Sequence, residues 1–234
     1  MSEIRERLEA VMGRIGDAAR RAGRDPSEVT LVAVSKTMPA ATVREAIEAG
    51  VKILGENRVQ EARDKITTLG GPGTAGWHLI GHLQTNKAKL AVELFDMIHS
   101  VDSIRLAGEL EKYARAAGKP LPCLIEVNQA GEETKSGIAE GGIGALLEAM
   151  RAMTQVRPIG LMAIPLFLAD PEAARPYFRR LRELRDRLVA EGLAPAEFTH
   201  LSMGMTHDFP VAIEEGATYV RIGTAIFGPR PPAK

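Results

Sequence analysis

The run VAVSKT at residues 32–37 sets a lysine, Lys36, at the end of small and β-branched apolar residues that read as a buried strand. An ammonium among such residues is costly unless the site uses it. A lysine desolvated by apolar neighbours and flanked by another cation loses its proton readily and becomes a nucleophilic amine, able to bond a carbonyl carbon. Further candidates lie far along the chain. Ser202-Met203-Gly204-Met205-Thr206 and Gly223-Thr224-Ala225 combine hydroxyls with glycines that leave backbone N–H groups accessible, a composition suited to surrounding a phosphate. Each taken alone is also ordinary turn chemistry. Arg221 stands two residues before the second stretch.

Bringing these residues to one point requires repeated elements. Ile4, Leu8, Val11, Met12 and Ile15 recur at steps of three and four, so the spacing predicts an amphipathic leading helix over residues 1–23. A different rhythm follows. Short apolar runs occur at 31–35, 52–55, 77–81, 96–100, 123–128, 159–164, 199–203 and 218–223. Between them lie helical patterns such as ATVREAIEAG and SIRLAGELEKYARAAG, several ending at the glycine expected just past a helix C-terminus. Strand and helix in alternation mean parallel β structure. Eight such units in 234 residues favour an α/β fold of the closed (β/α)8 TIM-barrel kind, one domain over 1–234 with its barrel over 30–228. An open doubly wound sheet would need a phosphate-binding glycine turn after its first strand, and VAVSKTMPA has none. The GxGxxG spanning Gly71 to Gly76 precedes a strand instead of joining strand to helix, and reads as a loop.

Barrel enzymes carry their chemistry on loops at the strand C-termini, with phosphates commonly held after strands seven and eight. Both candidate turns fall there. Closing the barrel sets strand one beside strand eight, which brings Lys36 and Arg221 to the same mouth, and by strand parity Lys36 shares a face with Val32 and Val34. The chemistry expected is covalent capture of a carbonyl compound that carries a phosphate, of which pyridoxal 5'-phosphate (PLP) is the commonest cofactor. A barrel hydrolase or isomerase in which Lys36 binds a phosphorylated sugar stays open on these residues alone.

AVSKT, GENRVQE (55–61), WHLIGHLQTNK (77–87), GLMAI (160–164) and the stretch from LSMGMTHD through AIEEGATYVRIGTAIFG (201–228) resemble the YggS/PROSC family of pyridoxal phosphate homeostasis proteins. The likeness covers nearly the whole span from Leu31 to Gly228. It implies a fold-type III barrel similar to the N-terminal domain of bacterial alanine racemase, with PLP held as a Schiff base on Lys36. It also implies a phosphate cradle at Ser202, Gly223 and Thr224, with Met203 and Gly204 beside it, and Arg221 opposite the pyridine nitrogen. Asn57, His82 and Met162 are implied to line the pocket. An arginine cannot accept a proton, so at that nitrogen it donates a hydrogen bond and leaves the ring neutral, a poor electron sink.

The function so implied is that of a PLP carrier or reservoir without dedicated turnover, with PLP-dependent apoenzymes as recipients. A PLP-dependent amino-acid racemase of the same fold type is the rival. Racemisation needs a base on each face of the substrate adduct, and the chain offers Lys36 alone. It ends in PRPPAK soon after Gly228, where alanine racemase continues into a β domain, and Tyr113, Tyr177 and Tyr219 fall away from the expected mouth.

Other constellations have plainer readings. Lys plus Arg and Asp plus Glu number 30 each, so no net field favours nucleic acid or an anionic membrane, and a small-molecule partner and a monomer are expected. The basic stretch from Arg175 to Leu188 interleaves Glu183 and Asp186, as the solvated face of a helix does. Cys123, the one cysteine, lies in an apolar run and reads as a buried thiol suited to a reducing cytoplasm. The N-terminus lacks the pattern of a signal peptide, and no segment is long and apolar enough to span a bilayer. His78 and His82 have the spacing of a zinc pair on a helix, but WHLIG reads as a strand, which does not present them in that way, and no Glu completes HExxH. Ser202, His207 and Asp208 lack the GxSxG elbow of a hydrolase. Lys135 in GEETKSG is either a second mobile amine or a solvated loop lysine.

Overall fold

The computed structural model describes residues 2–129, 136–165 and 168–229. Its strands are β1 (Thr30–Val34), β2 (Ile53–Glu56), β3 (Gly76–Leu79), β4 (Met97–Val101), β5 (Leu121–Glu126), β6 (Val156–Met162), β7 (His200–Met205) and β8 (Tyr219–Ile222). They pair in chain order, all parallel, and β8 returns to β1 with Val32 opposite Arg221, closing the barrel. The helices α1 (Glu3–Arg21), α2 (Ala40–Ala49), α3 (Val59–Leu69), α4 (Ala88–Leu94), α5 (Ile104–Ala117), α6 (Ile143–Met150), α7 (Arg175–Ala190), α8 (Phe209–Glu214) and α9 (Thr224–Phe227) surround it. All eight expected strand runs are strands, which makes the fold the (β/α)8 barrel anticipated.

Local chemistry explains the helix ends. Ser2 caps α1 by accepting the Arg5 N–H, with Glu3 and Glu6 in its first turn and Arg20 and Arg21 in its last, matching the helix dipole. Gly50, Gly70 and Gly118 end α2, α3 and α5 in the left-handed conformation. The apolar stripe of α1 is narrower than its spacing implies. Ile4, Leu8, Val11 and Ile15 are buried, whereas Met12 faces solvent. The arginines of α7 are likewise more engaged than a solvated face: Arg175, Arg179 and Arg182 converge on the buried carboxylate of Glu215, just past α8.

Two populations of side chains follow from strand alternation. Outward-facing Ala33, Leu54, Trp77, Leu79, Ile98, Cys123, Ile125, Leu161, Leu201, Met203, Val220 and Ile222 join the helices in one continuous apolar core. The barrel interior is different. Met97, Leu124 and Met162 form a small apolar cluster there, and His78, His99, Ser202 and Arg221 are buried with them on alternate positions. Burying so many polar groups costs free energy unless each finds a partner, and an interior built this way is poised for chemistry rather than for stability alone. Among the described residues no helix is long and apolar enough to cross a membrane.

Candidate functional site

Lys36 lies just beyond β1, in a tight turn closed by the Met38 N–H donating to Ser35 O at 3.0 Å. It is half-buried, and Thr37, the next residue, has φ 65°, in the left-handed region that a side chain resists. β1 ends at Val34, two residues before Lys36, so the turn and not strand parity directs the lysine. Behind the turn the Ser35 hydroxyl donates to Glu56 Oε1 at 2.6 Å, and Lys65 of α3 donates to Ser35 O, Glu56 and Glu61.

Beneath the mouth a chain of hydrogen bonds crosses the interior. Arg221 donates from Nη1 to Ser202 Oγ at 2.6 Å and from Nη2 to Ala163 O at 3.0 Å. Ser202 Oγ lies 2.9 Å from His99 Nδ1, and His99 Nε2 lies 3.0 Å from His78 Nδ1. A serine that accepts from Arg221 has one proton left to give. If it goes to His99, His99 donates in turn to His78; if it goes to a ligand, both imidazoles reverse their tautomers. Burial holds both histidines neutral, moving His78 down to about 4 and His99 well below its ordinary value, the latter aided by His78 and Arg221. Burial also lowers Arg221 to about 10, against the pull of Glu126 and Asp208, so it stays cationic at neutral pH.

The remaining sequence candidates are distributed as follows. Gly223 caps α9, whose first residue, Thr224, presents an exposed side chain, and the Gly223 N–H donates to Thr206 Oγ1 at 3.3 Å. A Cβ at 223 would sit 3.3 Å from Val34 O, so the ends of β1 and β8 abut there. Met162 ends β6 in the interior, and Asn57 follows β2 against Gly81. His82 is exposed, with Nδ1 3.4 Å from the Asp102 carboxylate. Met203 points outward into the helix-facing core, and Gly204 adopts φ 88°. Ser202, His207 and Asp208 face separate partners: His207 meets Ala169 O, and Asp208 accepts the Met205 N–H. Among the described residues no group of His, Cys, Asp or Glu could hold a metal. Burial pushes the Cys123 thiol well up. Lys135 lies outside the described residues.

One site residue was not evident in the sequence. Glu126 ends β5 within the apolar run CLIEVN, and parity turns it inward, where it lines a cavity of about 260 Å³ with Asn128, Gln129 and Ile164. Its Oε2 is buried without a hydrogen-bond partner among the described residues. Desolvation, then the neighbouring Asp102, raises its pKa to about 7 against the attraction of Arg221. The signal for it was a lone acid in a strand otherwise apolar. A larger cavity of about 690 Å³ opens at the opposite end of the barrel, beside the start of β6, away from these groups.

A family model described as alanine racemase, N-terminal domain, matches residues 7–231. A pyridoxal phosphate homeostasis protein of Aquifex aeolicus is 48% identical over 225 residues, covering 96% of this chain and 97% of that one. The solved structure of PipY from Synechococcus elongatus, with PLP bound, is similar at TM-score 0.84 and 38% identity, covering 97% of this chain and 100% of that chain. Alanine racemase of Clostridium difficile is similar at TM-score 0.74 and 14% identity over 99% of this chain and 57% of its own, a likeness of fold alone. With a closed eight-stranded barrel, a lysine turn at the β1–β8 seam and identity at this level over almost all its length, the chain belongs to the family of the pyridoxal phosphate homeostasis proteins.

Proposed function

We propose that this protein binds PLP covalently through Lys36 and serves as its carrier or reservoir in cofactor homeostasis. The observation that carries the reading is the seam between β1 and β8, where the Lys36 turn, Gly223 and Thr224 lie side by side above Arg221. These groups suit the cofactor's chemistry: an amine for its aldehyde, a hydroxyl and helix-start N–H groups for its phosphate, and a fixed cation for its ring nitrogen. PLP supplies an aldehyde and a ring able to take up electrons. Arg221, which stays charged and already donates to Ser202 and Ala163, would hold that ring unprotonated and so blunt its electron uptake, which favours retention over turnover. Asn57, His82 and Met162 are pocket-lining positions in this reading, and PLP-dependent apoenzymes are the recipients. A monomer in the cytoplasm is the accompanying proposal. The test is the visible absorbance of the purified protein with PLP and its bleaching by borohydride, followed by peptide mass analysis. A pyridoxyl tag on Lys36, lost in Lys36→Ala with the fold retained, is expected; a tag mainly on Lys135 or elsewhere overturns the assignment.

A racemase reading has one observation in its favour. Glu126, buried at the mouth and protonated up to about pH 7, is a proton-carrying group additional to Lys36.

A further inference from the structure

The peptide units on either side of Lys36 are gripped from the helix side of the barrel. Lys65 Nζ spends all three of its protons there, on Ser35 O at 2.6 Å and on Glu56 Oε1 and Glu61 Oε1 at 2.7 Å each. The Ser35 hydroxyl donates to the same Glu56 oxygen, and Glu61 Oε1 also accepts the Thr37 N–H. The residue before Lys36 is thus held by its carbonyl and its hydroxyl, and the residue after it by its amide. The Lys65 side chain is 8% exposed, that of Glu56 0% and that of Glu61 27%.

Such a cluster is a poor device for stability. Buried ions lose hydration that their mutual attraction hardly returns, and apolar residues of similar size commonly do as well. Among the described residues Glu56 Oε2 is moreover buried with no hydrogen-bond partner, which is unfavourable. The turn it grips is itself unfavourable, with Thr37 in the left-handed region at φ 65°. Strained backbone of this kind persists where its surroundings over-determine it, and it concentrates where a side chain must be aimed.

We propose that Lys65, Glu56 and Glu61 form a clamp that holds the Lys36 turn in its strained shape and aims the Lys36 amine into the mouth, as positioning residues for cofactor attachment. The inference rests on the reading of Lys36 given under Proposed function. It assigns a role to the two acids of GENRVQE, Glu56 and Glu61, and explains why Lys65, four residues after Glu61, is buried rather than part of a surface ion pair.

Glu61→Ala and Lys65→Met test it, with Glu111→Gln as a control. Glu111 takes hydrogen bonds from Thr154, Gln155 and Val156 at the far end of the barrel, so its loss costs stability without touching the turn. Three quantities are read for each: amide exchange over Lys36–Met38 without cofactor, the PLP dissociation constant from the visible band, and the tagged lysine after borohydride. In the clamp variants turn exchange is expected to quicken, PLP affinity to fall about tenfold or more, as for one charge-assisted hydrogen bond, and tagging to spread from Lys36 to other lysines. The control melts earlier yet keeps the wild-type values of all three. Glu61, partly exposed, keeps the test valid if Lys65→Met fails to fold. Unchanged affinity and tagging in Glu61→Ala overturn the clamp, as does an equal loss in Glu111→Gln. Wild-type protein without a tag on Lys36 overturns the PLP reading itself, and the clamp's purpose with it.

Discussion

Ser202 and Thr224 both offer a hydroxyl, but their surroundings separate them. Thr224 stands exposed at the start of α9, whereas Ser202 is fully buried between Arg221 and His99. Thr224→Val therefore removes only a donor to a charged phosphate, about 1.5–3 kcal/mol. It should weaken PLP by roughly tenfold to a hundredfold while leaving pyridoxal, which has no phosphate, almost unaffected. Ser202→Ala also strips a buried guanidinium of one of its two acceptors, so it should lower the melting temperature and weaken both ligands. Isothermal titration with the two compounds decides; equal loss of pyridoxal in Thr224→Val would remove that residue from the phosphate cradle. Glu126 gives a pH prediction. Its folded pKa of about 7 lies above the ordinary 4.5, so its stabilising contribution is full below about 4.5 and is lost as pH rises through 7. Glu126→Gln cannot ionise and should keep that stability, becoming more stable than wild type at about pH 8 but not at about pH 5. His78 works in the opposite sense, its contribution present above 6.5 and lost as pH falls through about 4. Melting curves of the two proteins that stay parallel across that range would show that Glu126 titrates normally.

Among the elements, the contact between β7 and α8 decides where the mouth's seventh loop runs. Gly204 has φ 88°, and a Cβ there would lie 2.5 Å from Ala212 Cβ and 3.0 Å from Phe209 Cα. A left-handed residue and an overpacked contact each cost on the order of 1–3 kcal/mol. Gly204→Ala should thus lower the unfolding free energy by about 3 kcal/mol, seen as an earlier urea midpoint with unchanged slope. A loss under about 0.5 kcal/mol, the range of a surface substitution, would mean that α8 shifts aside freely. Beside this contact Met203 faces outward by strand alternation, into the core against the helices, and the Met205 N–H donates to Asp208.

At the scale of the whole molecule the question is whether the barrel turns substrate over. The proposed carrier should show no racemisation, because its ring partner is a cation and its second proton-carrying group, Glu126, lies at the mouth with no partner among the described residues to orient its Oε2. Incubation of the PLP-loaded protein with L-alanine and other L-amino acids in deuterated water, following α-proton exchange and D-isomer, measures this directly. Turnover on the order of one per second, abolished both by Lys36→Ala and by Glu126→Gln, would replace the carrier with a racemase.

Much of this protein is written in local pattern. Eight apolar runs separated by helical repeats are sufficient for the barrel, because alternation of strand and helix leaves parallel pairing as the way to bury both faces. Lys36, Arg221 and the Gly223-Thr224 turn were visible as residue types in unusual places, and closure alone puts them together. What no local pattern could disclose is partnership. Ser202 read as a free hydroxyl, and the fold gives it to Arg221 and His99. Glu61 and Lys65 stand four residues apart on α3, and packing of α3 against the ends of β1 and β2 buries Lys65 against Ser35 and Glu56. Met12 read as core and lies in solvent, since α1 needs only a narrow stripe where it packs on its neighbours. The period of a sequence determines which elements form and which faces they bury; the pKa of Glu126 and the aim of Lys36 depend on distances between residues far apart in the chain, which only the closed barrel sets.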